Sequence, residues 1–544
     1  MQVNFSLMNS TRKNALMVLG TASHVGKSIL TAGLCRIFSD SGYRVAPFKA
    51  QNMSLNSAAT FDGGEIGRAQ ALQAEACRVV ASVEMNPVLL KPASDTGAQV
   101  IFLGKIFGQV NASDYHTRRV EQLFPEVLLA YKRLSATHDL TILEGAGSPA
   151  EINLREHDIV NMRMAHAADA VCLLVGDIDR GGVFASLLGT LELLSAEDRA
   201  RIRGFVINKF RGDECLLLPG IQMIEKRLGL PCVGVMPFIH DLGLDEEDGV
   251  ALEDRTSAAR RWKNLESGST RALRVGVIAL PHMANFTDFD PLALEPAVSL
   301  AYLQQAEEMT AADLLILPGT KQTLDDLGWL KARGFAREIS RLSKIGVPIT
   351  GICGGFQMLG LSIEDPHGIE NHGVPINETG LGLLPIRTVL CKEKTVRRVR
   401  GFLRGNFFHA GASGQVPFEG YEIHAGETLY ETGASPLTDI ERHGATESVV
   451  DGAVNEAGRV FGTYVHGFFD NDDFRHAFIQ AARAAVDLAP ATTYVNSSAE
   501  RDGRIDRLAC HLKKSLDMNL LKSWIIDPPR VPRIPISEGI TVDR

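Results

Sequence analysis

Residues 15–28 constrain the fold more than any other stretch. Ala15 to Leu19 is a short apolar run ending at Gly20, and Gly20-Thr21-Ala22-Ser23-His24-Val25-Gly26-Lys27-Ser28 then opens a helical pattern that continues through Phe38. A strand, a glycine-rich turn and a helix in that order begin a parallel α/β unit. The glycines let backbone N–H groups close around phosphate oxygens, Lys27 neutralises the terminal phosphates, and the Ser28 hydroxyl can ligate magnesium. ATP is the expected ligand, with Gly20, Thr21, Gly26, Lys27 and Ser28 around it.

The following segments extend the same unit. Arg44 to Lys49 reads as a second strand ending in lysine, and Thr141 to Glu144 as another that ends in an acid before a small-residue turn. Glu144 is placed to meet magnesium opposite Ser28, unless it is a strand-end acid facing solvent; Asp62 and Glu65 are weaker metal candidates. Ala170–Gly176 and Gly204–Lys209 repeat the pattern, the second carrying Asn208 within reach of an adenine edge. Helical patterns near 28–40, 66–81, 158–168, 182–195 and 220–229 alternate with these runs, which predicts a mostly parallel sheet with ligands at its C-terminal edge. Gln51, Asn52 and Asn56 lie on a loop after the second strand, where their amides either hold a polar substrate or satisfy a turn.

A second series of strand-like runs starts at Leu273: Arg274–Leu280, Leu314–Leu317 and Val347–Ile352. The last breaks at Gly351-Ile352-Cys353-Gly354-Gly355 and resumes as an apolar helix, so Cys353 sits at a sharp strand-to-helix elbow whose small neighbours clear access to sulfur. Helix N-terminal N–H groups favour thiolate over thiol, although a lone cysteine in an apolar stretch is also an ordinary buried thiol. Gly462-Thr463-Tyr464-Val465-His466-Gly467 places a histidine just past another strand. The loop 281–290 is polar and able to face the first domain. Beyond residue 482, Arg504 to Trp524 reads as helix, and the proline-rich end as irregular.

Composition narrows the function classes. A chain of 544 residues exceeds one hydrophobic core, so several domains are expected. The boundaries read as an ATP-dependent synthetase domain at 1–240, a linker at 241–271, a second α/β domain at 272–482 and a helical tail at 483–544. A net charge of −9 argues against a nucleic-acid surface, and the Lys392–Arg400 patch reads as a solvated loop. No apolar run is long enough to span a bilayer. The N-terminus has no signal-peptide pattern and the eight cysteines show no C-x-x-C spacing, so a reducing cytoplasm is the expected setting.

Two resemblances join these readings. Pro348, Gly351, Ile352, Cys353, Gly355 and Gln357 resemble the P-x-x-G-I-C-x-G-x-Q signature of class I glutamine amidotransferases. It implies a Cys353 nucleophile, a His466 general base, and oxyanion donors at Gly354 and, from the strand end before Lys321, Gly319. Many members carry a glutamate two residues after the histidine; here Phe468 stands there, leaving a carboxylate from elsewhere or a Cys–His dyad. The nine-residue turn at 20–28 resembles dethiobiotin synthetase-like ligases, in which the lysine matching Lys49 faces the carboxylate to be phosphorylated.

Further strings extend the likeness over nearly the whole chain. Ala50–Asn56, Asn86–Pro92, Asp177–Phe184, Asn208–Asp213 and Gly420–Gly426 resemble the glutamine-hydrolysing cobyrinate amidotransferases, in the branch that amidates four carboxylates. The resemblance implies ATP phosphorylation of the b, d, e and g carboxylates of (adenosyl)cobyrinic acid a,c-diamide. Ammonia made at Cys353 travels to the first domain and displaces phosphate. Lys49, Gln51, Asn52 and Lys91 then line the corrinoid crevice. The partners implied are a corrinoid and glutamine, without nucleic acid or membrane; the oligomeric state is left open. An a,c-diamide synthase and a non-catalytic P-loop switch are the alternatives.

Overall fold

The computed structural model describes residues 14–92, 97–111, 120–240, 242–244, 262, 268–371, 373–404, 416–445 and 447–526. The stretch before residue 14, most of the expected linker and the proline-rich end lie outside the described residues. The chain forms two compact units: one from the described residues of 1–53, 66–246 and 502–544, the other from those of 54–65 and 247–501. No described helix is long and apolar enough to cross a membrane.

The first unit is built on a six-stranded sheet ordered Cys232–Pro237, Ile202–Phe210, Val171–Asp177, Asn14–Gly20, Leu140–Glu144, Val45–Phe48, and every pairing is parallel. The apolar runs are continuous because both faces of the sheet are covered. Met17 and Leu19 pack on one side with residues of the Val120–Thr137, Val183–Leu193 and Leu218–Leu228 helices. Leu16 and Val18 pack on the other with the Lys27–Asp40 helix. Each such side chain contributes roughly 1.5–3 kcal/mol when fully buried. Sheet order reverses beside Asn14–Gly20, so its C-terminal end opens at a switch point.

Three features of this unit depart from expectation. The Val120–Thr137 helix and the ribbon of Val88–Pro92, Gly97–Phe102 and Lys105–Asn111, which adds to the short Gln51–Met53 strand, have no counterpart in the reading by pattern. The tail is not a separate body from residue 483: Ile505, Leu508 and Leu512 join the core against the Lys27–Asp40 helix, and buried Arg36 bonds Asp506 at 3.1 Å. Its helical stretch is two helices, Ser497–Ser515 and Met518–Ile526, with Asp517 accepting from the N–H groups of Asn519 and Leu520.

The second unit carries a sheet ordered Val298–Leu303, Leu273–Ile278, Leu314–Leu317, Ile349–Ile352, Val460–Thr463, Ala453–Val454. It is parallel except at the last strand. The Ile349–Ile352 and Val460–Thr463 strands are neighbours, which brings the ends bearing Cys353 and His466 together. A second sheet, mostly antiparallel, contains the long Ile386–Leu403 and Pro417–Tyr430 strands. The basic patch 392–400 is therefore strand rather than loop, with Val396 and Val399 buried between its charges. Residues 54–65, written into the sequence of the first half, belong to this second unit.

Candidate active sites

The sulfur site starts from backbone. Cys353 has φ 50° and ψ −109°, a strained conformation for a residue with a Cβ, of the kind that costs about 1–3 kcal/mol and persists where the surroundings over-determine it. Those surroundings are glycines and one fixed peptide. A side chain at Gly355 would meet Leu317 O at 2.1 Å, one at Gly351 would meet the Gly355 backbone at 2.8 Å, and Cys353 N donates to Thr463 O at 2.8 Å. The motif glycines at 351 and 355 are thus demanded by packing at the elbow.

His466 stands beside the sulfur, buried, in the short Val465–His466 strand. Its Nδ1 lies 2.6 Å from Asp288 Oδ2, while Asp288 Oδ1 accepts from Gly467 N at 3.1 Å. Burial pulls the imidazolium down, but the Asp288 carboxylate and the Cys353 side chain outweigh it and carry the ring up to about 10. A protonated histidine is the partner a thiolate needs. The Tyr421 ring stacks on His466 at 5.4 Å and 19°, and Cys353 Sγ approaches Ile423 O at 3.5 Å.

The glycines beside the sulfur are equally tightly packed. A Cβ at Gly319 would meet His466 Cε1 at 3.0 Å and Cys353 Cβ at 3.7 Å; one at Gly354 would meet Thr320 Cγ2 at 2.6 Å. Buried Asp326 fixes this turn by accepting from Thr320 Oγ1 and pairing with His282 Nδ1 at 2.8 Å. The arrangement sets the Cys353 sulfur beside an imidazole held by a carboxylate, with Gly319 and Gly354 packed close around it, the nucleophile–base pairing on which acyl transfer through a thioester relies.

Asp288 supplies the third member that the pattern left open. It comes from the polar loop 281–290, which folds onto the histidine within the second unit. Phe468, at the family's usual glutamate position, is buried in an aromatic cluster with Phe469 and Phe474.

The phosphate-loop site lies at the end of Asn14–Gly20 in the first unit. Gly26 adopts φ 93°, where only glycine is unstrained, and Lys27 Nζ donates to Ala22 O at 2.9 Å and Gly147 O at 3.1 Å. Glu144 is the hub. Its Oε1 accepts from Ser28 Oγ at 2.7 Å and Lys49 Nζ at 3.0 Å, and its Oε2 accepts from Gln73 Nε2 at 2.6 Å. Lys49 and Glu144 are both buried, so each charge is held by the other. Gln73 Oε1 has no hydrogen-bond partner although buried, leaving an acceptor open beside the Ser28 and Glu144 oxygens. That oxygen-rich set fits a hard divalent cation. Gln73 was not singled out by pattern, because a glutamine within a helix carries no signal of its own.

The remaining candidates divide. Gln51, Asn52 and Lys91 fall on paired strands, Gln51–Met53 beside Val88–Pro92, but the Asn52 side chain is spent on Gln70 at 3.0 Å and on Met53 N at 2.9 Å. Asn208 Nδ2 donates to Val25 O at 2.8 Å, bracing the phosphate loop. Glu65, Asp62 and Asn56 belong to the second unit, where Glu65 pairs with Lys394 at 2.7 Å and accepts from Ser57, and Asp62 accepts from Thr60.

Comparison with known proteins agrees with both halves. Residues 16–252 match the model of the CobQ/CobB/MinD/ParA nucleotide binding domain, and residues 274–474 that of the CobB/CobQ-like glutamine amidotransferase domain. A protein of Salmonella heidelberg (strain SL476) named cobyric acid synthase is 46% identical over 93% of this chain and 97% of its own. One of the same name from Moorella thermoacetica is 46% identical over 93% of this chain and 96% of its own. With a nucleotide-binding half and a glutaminase half both matched and the likeness running nearly end to end, this chain belongs to the cobyric acid synthase family.

Proposed function

We propose that this glutamine-dependent ligase amidates, in turn, the b, d, e and g carboxylates of (adenosyl)cobyrinic acid a,c-diamide, with ATP as activator and glutamine as nitrogen donor. The observation that carries the reading is the Asp288–His466–Cys353 arrangement in one unit of a chain whose other unit gathers Lys27, Ser28, Lys49 and Glu144 at a phosphate loop. The substrate rests on the name borne by the relatives.

At the sulfur site, Cys353 Sγ attacks the glutamine side-chain carbonyl while the Gly354 and Gly319 N–H groups receive the oxyanion. His466 protonates the leaving nitrogen, ammonia departs, and water activated by the now neutral ring releases glutamate from the thioester. Asp288 keeps the ring in the tautomer with Nε2 available.

At the phosphate loop, a corrinoid carboxylate oxygen attacks the terminal phosphorus and the remaining diphosphate leaves. Lys27 neutralises charge on the transferred group and Lys49 faces the carboxylate. Magnesium, held by Ser28 and Glu144, would supply further neutralisation of phosphate charge. Ammonia attacks the acyl carbon and inorganic phosphate leaves as the amide forms. A carboxylate needs this activation because its own oxygen is too poor a leaving group at neutral pH.

Cys353→Ala tests the reading: glutamine-dependent synthesis is lost while synthesis from ammonium at high pH remains. Continued glutamine use by this variant would refute the nucleophile. Mass spectrometry of the products should find amides added singly up to four on the a,c-diamide; two additions to cobyrinic acid and no more would favour the a,c-diamide synthase.

A further inference from the structure

Residues 54–65 sit in the sequence between two parts of the phosphate-loop unit, yet they pack with the glutaminase residues. In the chain they follow directly on Lys49 and Gln51–Met53, and lead directly into the Arg68–Ala76 helix that carries Gln73, the donor to Glu144. They contain the Ser57–Ala59 strand and the first residue of the Glu65–Gly67 strand. Buried Glu65 accepts from Ser57 Oγ at 2.7 Å and pairs with Lys394 at 2.7 Å. Ala59 closes an apolar cluster with Val396, Tyr421 and Ile423, and Arg398 lies over the Phe61 ring at 4.5 Å.

The attachment is specific to the supports of His466. Ser57 N donates to Asn285 Oδ1 at 3.0 Å, and Ser57 O accepts from Tyr421 Oη at 3.3 Å. Asn285, at φ 55°, begins the turn that carries Asp288, whose N–H bonds back to Asn285 O at 3.0 Å. Tyr421 is the ring stacked on His466, and it is His466's register partner across the strands. Residue 57 therefore grips, with its N–H and its carbonyl, the two elements that border the Asp288–His466 pair. Ile423, two residues on, lies in the same cluster as Ala59 and offers its carbonyl to Cys353.

We propose that Ser54–Glu65 is a coupling strap, in which Ser57, through Tyr421 and Asn285, sets the alignment of His466 according to the state of the ATP-dependent site. Tyr421 and Asn285 are positioning residues; neither is asked to touch the reacting atoms. Pulling the strap away removes hydrogen-bond partners from the Tyr421 hydroxyl and the Asn285 amide and uncovers the Ala59 cluster, so its seated and displaced positions differ in discrete contacts rather than by gradual slack. The chemical need is plain: a glutaminase running without an activated carboxylate wastes its ammonia. The inference rests on Cys353 and His466 being the glutaminase pair.

The test measures glutamine hydrolysis by the full chain with and without ATP plus the corrinoid diamide. The probes are Tyr421→Phe, which deletes only the hydroxyl that reaches Ser57, and Gly63→Ala. Gly63 has φ +79°, and a Cβ there would meet Arg397 Nη1 at 2.3 Å and Val396 O at 3.3 Å, displacing the strap at a distance from the sulfur site. The wild type should accelerate about fivefold or more when both ligands are present, the low end of ordinary site coupling, and each variant by less than about twofold. In Tyr421→Phe the loss should fall on kcat and leave KM for glutamine unchanged, a split that general loosening of the unit would not produce. No acceleration in the wild type, or full acceleration in either variant, overturns the strap. Glutamine use by Cys353→Ala would instead overturn the assignment of the sulfur site on which it stands.

Discussion

Asp288→Asn is the sharpest perturbation available, because one carboxylate does two jobs that one amide cannot. Asp288 accepts from Gly467 N through Oδ1 and holds His466 Nδ1 through Oδ2. In the variant, an amide oxygen turned to Gly467 leaves the NH2 facing Nδ1. Nδ1 must then accept, the proton moves to Nε2, and the ring loses its free basic nitrogen. The opposite orientation sets the NH2 against the Gly467 N–H, donor to donor. The charge is lost either way. The rise of His466 from 6.5 to about 10, which burial opposes and Asp288 and Cys353 produce, corresponds to roughly 5 kcal/mol of preference for the imidazolium, shared between those two partners. Losing the Asp288 share, together with the tautomer, should lower glutamine-dependent turnover by about 10²–10⁴-fold. Synthesis from ammonium should not change. The assay is the ratio of the two rates on the same preparation, and a glutamine-dependent rate within about threefold of wild type would refute the argument that Asp288 orients the ring.

Other expectations concern charge. Glu144→Gln should abolish synthesis with either nitrogen donor and also lower the melting temperature, since buried Lys49 loses its counter-charge at a cost of about 3–5 kcal/mol. Adding Lys49→Met should recover much of the melting temperature and none of the synthesis, measured by calorimetry and ammonium-dependent turnover. Arg475→Ala should take from fully buried Glu295 its nearest cation, at 2.7 Å, leaving it His476 at 3.2 Å and the Val495 N–H at 3.3 Å, and lower the melting temperature of the second unit by several degrees, for a loss at or below the roughly 3–5 kcal/mol of a wholly unpaired buried charge. Because His466 is raised on folding, its contribution to stability is complete below 6.5 and disappears as pH climbs through about 10. The wild type should therefore lose more stability over that interval than Asp288→Asn, as read from melts in matched buffers.

The parts legible in the sequence were those whose chemistry is local. A strand running into a glycine turn and a helix must appear as consecutive residues, so Gly20–Ser28 and Val347–Gly360 announced both sites, and the alternation of apolar runs with helical patterns announced a parallel sheet. The glycines at 351 and 355 were readable because a Cβ there has no room. What escaped was whatever meets across the fold. Asp288 lies 178 residues from His466, in a polar loop where nothing distinguishes the acid that turns inward from Asp290 beside it. Gln73 reaches Glu144 across 71 residues, and the tail of the chain packs against a helix near its start. Within Ser54–Glu65, pattern offers only Asn56 as a loop amide that either holds a substrate or satisfies a turn, and Asp62 and Glu65 as weaker metal candidates. The segment's membership of the other unit depends on Lys394, Tyr421 and Asn285, and only a chain already folded brings those side chains to it. Pattern reveals residues that shape their own neighbourhood, whereas a carboxylate or hydroxyl that serves a distant group gains its role from tertiary contact alone.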